Sequence, residues 1–376
     1  MKRLLIGLTY YSPNISGVTI YAQLLAKKMA EAGYEVRVLC SRPNGMKKFG
    51  VENKVKITRS WVWLTVGKGV LMPNYWWDSL REVKNSDVVN CHLPQLESLM
   101  LAIWAKIFGK KLVVTHHCEF GFTGTLSNKL ISIISFPFHL VTYILADKIV
   151  SYTKDYAQSS IFLRMFKNKI EYILPPVVVG EKDEKEIKEI KEKIGVDNNE
   201  KIVGFVGRIA WEKGLDYLIE AVELVNKKIK ARLVLVGPFR EVAGDKSGQK
   251  FNKLIKKNKN RVVLYGPMEH INLVNFYKIC DCLVLPSTDN LETFGIVQAE
   301  AMISGCPVVA SNLPGVRMPV TMTGLGEIAK IGDSKDLAKK IKIVLTTKYS
   351  QDKYKEAKNI FAIEKFMDSY KKVFSI

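Results

Sequence analysis

Short β-branched runs alternate with amphipathic stretches along the 376-residue chain, a rhythm that predicts βα units on parallel sheets. In the first half the expected strands are Arg3–Leu8, Glu35–Cys40, Asp87–Cys91, Lys111–Thr115 and Lys148–Tyr152. Between the first two, Ile20, Leu24, Leu25, Lys28 and Met29 are expected on one face of a helix that ends at Gly33. The second half repeats the pattern with Ile202–Val206, Arg232–Val236, Arg261–Tyr265, Asp281–Leu285 and Pro307–Ala310, and Leu215–Val225 reads as a helix. The fold class that follows is α/β: two doubly wound, Rossmann-like domains facing each other across a cleft.

The boundary is set by a composition break. Pro175-Pro176 precedes a charged segment, Glu181 to Lys193, whose Glu and Lys residues recur at four-residue spacing as on a solvated helix face. The expected domains are residues 1–174 and 175–360, with a last helix at 361–376 packing back on the first domain.

Composition adds three constraints. Lys and Arg number 57 against 37 Asp and Glu, a net charge of +20 that points to polyanions, anionic lipid or phosphate-bearing substrates. Residues 1–175 hold 23 of the basic and 11 of the acidic residues, so the first half is the more basic. It also carries Trp61, Trp63, Tyr75, Trp76 and Trp77, interleaved with Arg59, Lys68 and Arg81. That cluster suits a membrane–water interface or the packing of a local subdomain. The six cysteines sit in or beside apolar runs and read as buried thiols in a reducing, cytoplasmic setting. The stretch Leu130–Ala146 lacks charge but contains Pro137, His139 and three hydroxyl residues. It is expected as two short buried or interfacial helical pieces broken near Pro137 rather than a span. No signal peptide is expected, because Met1-Lys2-Arg3 leads into only six apolar-rich residues before Tyr10-Tyr11-Ser12-Pro13.

Three constellations carry candidate chemistry. Gly204-Phe205-Val206-Gly207-Arg208 followed by Trp211-Glu212-Lys213-Gly214 places two cations in a strand–loop–helix corner. Such a corner suits a diphosphate, or holds surface charges flanking a turn. The run Leu291 to Met302 holds Glu292 and Glu300 eight positions apart. With a helix starting near Thr293, Glu300 would lie about two turns in. The carboxylates would accept from sugar hydroxyls while the helix-start amides attract phosphate, or they would simply favour the helix start. Thr115-His116-His117 ends a strand, and adjacent histidines there point to opposite sides. No zinc-ligand spacing and no Asp-x-Asp pair occurs, so no metal is expected.

Together these stretches resemble the retaining glycosyltransferases of family 4, which have the GT-B fold. The resemblance covers almost the entire chain. In the first half it rests on Pro13 to Gly17 and Gly33-Tyr34-Glu35-Val36. In the second half it rests on Gly207 to Ala221, Leu283 to Ser311 and Gly332-Asp333. It implies an acceptor-side first domain and a nucleotide-sugar-binding second domain. It implies that Arg208 and Lys213 bind the donor's diphosphate, that Glu300 holds the ribose hydroxyls, and that Glu292 contacts the transferred sugar. Phe294 and Gly295 would offer amides, His117 would meet the donor sugar, and Gly17 would line the phosphate side. Two positions depart from the family: Ser16 replaces the first of two adjacent glycines, and Gly237-Pro238-Phe239 lacks a second glycine.

The expected activity is metal-independent transfer of a sugar, with retention, from a UDP- or GDP-linked donor to a glycan or lipid-linked acceptor. No further cofactor and no nucleic acid are expected, and an anionic membrane surface on the cytoplasmic face is a candidate partner. Two other readings stay open at this point: a GT-B sugar-nucleotide epimerase, and a non-enzymatic basic module for membrane or nucleic acid.

Overall fold

The computed structural model of the chain describes residues 2–66, 69–119, 126–197, 199–238, 251 and 254–375. They form two compact units, one of Met1–Pro176 with Ile363–Ile376 and the other of Val177–Ala362. Lys68 and Phe239, singled out above, lie outside the described residues.

The first unit is built on β1 (Arg3–Gly7), α1 (Gly17–Glu31), β2 (Glu35–Ser41), β3 (Phe49–Glu52), β4 (Val55–Ser60), the hairpin β5 (Leu64–Val66) and β6 (Gly69–Leu71), and α2 (Tyr75–Lys84). It continues through β7 (Val88–Leu93), α3 (Ser98–Ile107), β8 (Lys111–His116), α4 (Leu126–Leu145), β9 (Lys148–Ser151), α5 (Lys154–Ser159), α6 (Ile161–Met165) and β10 (Ile170–Tyr172). Its sheet runs β10-β9-β8-β7-β1-β2-β4-β3, parallel except for β3. The central strands are buried on both faces, as a sheet covered by helices requires.

The second unit comprises α7 (Glu184–Ile194), β11 (Lys201–Val206), α8 (Leu215–Val225), β12 (Ala231–Val236), β13 (Val262–Gly266), α9 (Leu273–Ile279) and β14 (Cys282–Leu285). After these come α10 (Ile296–Ile303), β15 (Val308–Ser311), α11 (Met318–Thr323), β16 (Gly326–Ala329), α12 (Ser334–Thr346) and α13 (Gln351–Ile360). Its sheet order is β13-β12-β11-β14-β15-β16, all parallel. In each sheet the order reverses direction beside the first strand, the switch point at which doubly wound folds bind ligands. The chain's last helix, α14 (Ile363–Phe374), belongs to the first unit.

Four local expectations are corrected. The segment Leu130–Ala146 is not broken at Pro137, because α4 runs unbroken from Leu126 to Leu145. Pro137 removes one hydrogen bond and presses on the turn holding Ile133, which faces solvent and can give way. The buried face of α1 is Tyr21, Ala22, Leu25, Ala26 and Met29, rotated from the predicted stripe; Ile20, Leu24 and Lys28 are only partly covered. The two alanines allow close approach to the sheet, and the Tyr21 hydroxyl finds Tyr370 of α14 at 2.7 Å. Cys118 is half-buried, unlike the other five cysteines. The aromatic cluster divides: Tyr75 is core, Trp76 packs edge-on against Trp104, and Trp61, Trp63 and Trp77 are exposed.

Tyr370 ties α14 into the unit through Tyr21 and through Thr115 Oγ1 at 2.9 Å. Its hydroxyl is fully buried, so deleting it strands two polar partners away from water. Tyr370→Phe is expected to lower stability by about 1–3 kcal/mol in urea titration. Lys365→Ala, on the exposed side of the same helix, is expected to stay within about 0.5 kcal/mol.

Candidate functional site

The second unit's candidate residues gather at the carboxyl ends of β11 and β14. After β11 the chain turns at Gly207, whose φ of 151° only glycine adopts readily. Gly237, at the matching end of β12, has φ 142°, and a Cβ there would stand 2.0 Å from the Gly207 carbonyl oxygen. Backbone lies on backbone at this corner, which accounts for glycine at both strand ends.

The loop then presents Arg208 and Lys213, each held by a carboxylate. Arg208 Nη2 donates to Glu212 Oε1 at 2.7 Å, and Lys213 Nζ donates to Glu292 Oε2 at 2.5 Å. The Lys213 pair is well covered, whereas the Arg208 side chain remains 47% exposed. Glu212 is anchored in turn, since its carbonyl accepts from the Thr288 amide at 3.0 Å in the loop after β14. Two of the sequence's three constellations are thus joined by one ion pair.

The helix after Glu292 begins at Ile296, not near Thr293. Gly295 is its N-cap in a left-handed conformation (φ 73°), which cannot continue a right-handed helix. Any side chain at position 295 would also meet Leu285 Cδ2 at 2.3 Å. Glu300 therefore lies about one turn into α10 rather than two. Phe294 is buried, edge-on to Phe361, and its carbonyl accepts from the Gln298 amide. The first turn of α10 has no acidic residue and leaves backbone N–H groups for an anion.

Glu300 is buried with both oxygens engaged. Oε1 meets His270 Nε2 at 2.7 Å, and Oε2 accepts from the Tyr277 hydroxyl at 2.8 Å. The carboxylate raises the pKa of His270 against the opposing effect of burial. His270 and Tyr277 carry no signal in the sequence: they come from the short turn before α9 and from α9 itself, and neither lies in a recognisable motif. Gly332-Asp333 resolves as a helix start, with Asp333 Oδ1 accepting from the Lys335 and Asp336 amides.

In the first unit, Gly17 opens α1 and is exposed, with nothing within 4 Å of where a Cβ would stand. Ser16, the departure from the double glycine, is the helix N-cap, its hydroxyl accepting from the Thr19 amide.

His116 and His117 diverge as adjacent residues should, and both are buried. His116 bonds Tyr143 through Nδ1 and Tyr156 at 3.2 Å through Nε2. His117 bonds Tyr152 through Nδ1 and His92 Nδ1 at 2.8 Å through Nε2. The direction of this chain can be worked out. Asn90 Nδ2 donates to the Val113 carbonyl and to Thr115 Oγ1, so Asn90 Oδ1 faces His92 Nε2 and accepts its proton at 2.9 Å. Burial pushes the pKa of His92 down to about 3 and that of His117 well below its usual value, so both rings are neutral. His92 Nδ1 must then accept from His117 Nε2–H, and His117 Nδ1 must accept from Tyr152. Both ring nitrogens of His117 are committed inside the protein. Among the described residues, no group of three or more His, Cys, Asp or Glu side chains could hold a metal ion.

The two halves match two family profiles: residues 15–180 match Glycosyltransferase Family 4, and residues 186–360 match Glycosyl transferases group 1. An uncharacterized glycosyltransferase of Methanocaldococcus jannaschii is 36% identical over 124 residues, 33% of this chain and 30% of the relative. The match thus spans about a third of that relative's length. Among solved structures, sucrose-phosphate synthase from Thermosynechococcus elongatus superimposes with a TM-score of 0.77 at 16% identity, covering 100% of this chain and 98% of that one. Anabaena HepE in complex with UDP gives a TM-score of 0.75 at 18% identity over 99% of each chain. At such identities these likenesses show the fold, which is GT-B. With one profile on each half and that architecture over the whole length, the chain belongs to the family 4 glycosyltransferases.

Proposed function

We propose that the protein transfers a sugar from a nucleoside-diphosphate donor to an acceptor hydroxyl, with retention and without a metal ion. The observation that carries this reading is the pair of cation–carboxylate locks at the head of the second sheet, Arg208–Glu212 and Lys213–Glu292. Both cations are positioned and charged, and both are held by partners that a diphosphate can replace.

In the reaction, the bond between the sugar's anomeric carbon and the diphosphate oxygen breaks, and the electron pair leaves with the nucleoside diphosphate. The acceptor oxygen forms the new bond to the same face, and its proton passes to the departing phosphate oxygen on that face. Negative charge grows on the departing phosphate, where Arg208, Lys213 and the α10 amides from Gly295 onward stabilise it. Two fixed cations supply there the charge neutralisation that a divalent ion supplies in other transferases. Once Lys213 turns to phosphate, Glu292 is released to accept from hydroxyls of the transferred sugar. Glu300 takes the ribose hydroxyls of a UDP or GDP donor in place of His270, with Tyr277 holding its second oxygen. Phe294 sets the turn that aims these amides. Gly17 leaves room for phosphate at the start of α1. A sugar hydroxyl reaching His117 takes over from Tyr152 as donor to Nδ1. The acceptor is a glycan or a lipid-linked sugar, and the work is done at the cytoplasmic side.

Lys213→Ala is expected to lower kcat by about 10²- to 10³-fold, the typical loss of one preorganised group at a leaving oxyanion. Product analysis in the same assay should show a modified acceptor, with no epimerised free donor.

A pH dependence follows from His270. Its pKa is raised in the fold, so the His270–Glu300 pair contributes stability below about pH 6.5 and loses it as pH rises through the folded value. Opening the pair for ribose is therefore easier at high pH. Affinity for a nucleotide sugar, whose esterified phosphates do not titrate in this range, is expected to tighten from pH 6 to pH 8.5 in calorimetry. His270→Gln is expected to flatten that slope.

A further inference from the structure

Helix α4 is apolar on both sides: Tyr143 with Phe136, Leu140 and Leu145 packs inward against the core, and the outer face is apolar too. The side chains it turns toward the protein include Ser135, His139 and Thr142, all buried. His139 Nε2 bonds the Gln95 carbonyl at 3.0 Å, and Thr142 meets Ser98 of α3 at 3.1 Å. The opposite face carries Ile133, Ile134, Phe138, Val141 and Ile144, with the three isoleucines 52% to 61% exposed. These positions recur at three- and four-residue spacing and cover one side of the helix. An ordinary surface helix turns polar residues to solvent instead.

The exposed apolar strip is not confined to one helix. Helix α3 packs along α4, and its outward residues Leu99, Met100, Ile103 and Trp104 are partly exposed, ending in Ile107 at 62%. On the other flank, α6 stacks Phe162 on Phe136 of α4 at 4.7 Å and leaves Ile161 and Met165 exposed. A contiguous apolar surface of this kind marks an interaction site.

The exposed charges nearby are mostly basic. The sequences of α3, α4 and α6 contain no acidic residue. Arg164 and Lys167 are exposed at the α6 end, and Lys169 caps the last carbonyls of α4 at 2.7 and 2.8 Å. Of the acidic neighbours, Asp147 pairs with Lys106 at 2.5 Å, Glu119 accepts from Ser160 and the Phe162 amide, and Glu97 at the start of α3 is buried, which pushes its pKa up to about 7.

We propose that the outer face of α3 and α4, flanked by α6, is a docking surface for an anionic lipid bilayer. The helices lie in the interfacial plane, their apolar side chains reaching the acyl boundary and the flanking cations meeting lipid phosphates. Among the described residues, no helix is long and apolar enough to cross a membrane, and the polar face of α4 is bonded into the protein. The apolar residues on α3 and α4 thus extend the membrane role that the sequence suggested for Trp61, Trp63 and Trp77. The inference stands apart from the sugar-transfer reading, since vesicle binding is measured with no donor present and either can fail alone.

The test is co-flotation of the full chain with phosphatidylglycerol–phosphatidylcholine vesicles and with pure phosphatidylcholine vesicles. The wild-type protein is expected to float with the anionic vesicles and to bind at least ten times more weakly to the neutral ones. The double variant Ile134→Glu/Val141→Glu is expected to lose at least ten-fold in binding while keeping its circular dichroism spectrum and thermal midpoint. Lack of wild-type binding would overturn the proposal, as would undiminished binding by the variant. A dimer in light scattering that the variant dissolves, without vesicle binding, would assign the face to a second copy instead.

Discussion

A positive charge drawn into a protein's surface layer needs an anion, and that requirement organises the second unit's candidate site. Lys213 and Arg208 are carried by one short loop, and each is met by a carboxylate, Glu292 or Glu212. Glu292 comes from the loop after the neighbouring strand, so the ion pair fixes two loops as well as one side chain. The same requirement makes the arrangement exchangeable. A diphosphate can replace both carboxylates without leaving a cation unpaired, and the released carboxylates are acceptors suited to hydroxyl groups. Glu300 follows the same logic one turn into α10, with His270 holding the place that ribose hydroxyls would take and Tyr277 bonding the second oxygen.

The first unit keeps its polar groups in a different way. Tyr152, His117, His92, Asn90, Thr115, Tyr370 and Tyr21 form one bonded series through the interior. Burial forbids a charged imidazole, and the Asn90 amide then fixes the proton on each ring. Because Tyr370 belongs to the chain's last helix, the series joins residues 349 positions apart and makes that helix part of the first unit. The outer face of α3 and α4 is the counterpart: polar groups of α4 are bonded inward among apolar side chains that join the core, and further apolar groups are left to meet something apolar outside.

The fold class was legible because buried parallel strands are short runs rich in β-branched and apolar residues, a form clearest in β1, β11, β12, β14 and β15. Of the edge strands of the two large sheets, β13 was expected, but three escaped notice: β3 is half exposed, and β10 and β16 are too short and mixed to stand out. Pro137 was misleading because the cost of a helical proline depends on what its ring meets, which a sequence does not state. The polar residues on the inner side of α4 were hidden for a similar reason, since the partners that draw Thr142 and His139 inward lie at Ser98 and Gln95. Arg208, Lys213, Glu292 and Glu300 could be singled out by spacing and resemblance. Their partners depend on tertiary packing, and His270 sits 30 positions from Glu300 in a loop with no motif.

The most direct measurement of the central claim is a crystal structure of the protein with a nucleoside-diphosphate sugar bound. The account predicts Lys213 Nζ and the Arg208 guanidinium at about 2.7–3.2 Å from phosphate oxygens, with the Lys213–Glu292 and Arg208–Glu212 pairs opened and Glu292 turned to the sugar. A ligand bound with both ion pairs intact, its phosphates held by other groups, would contradict it.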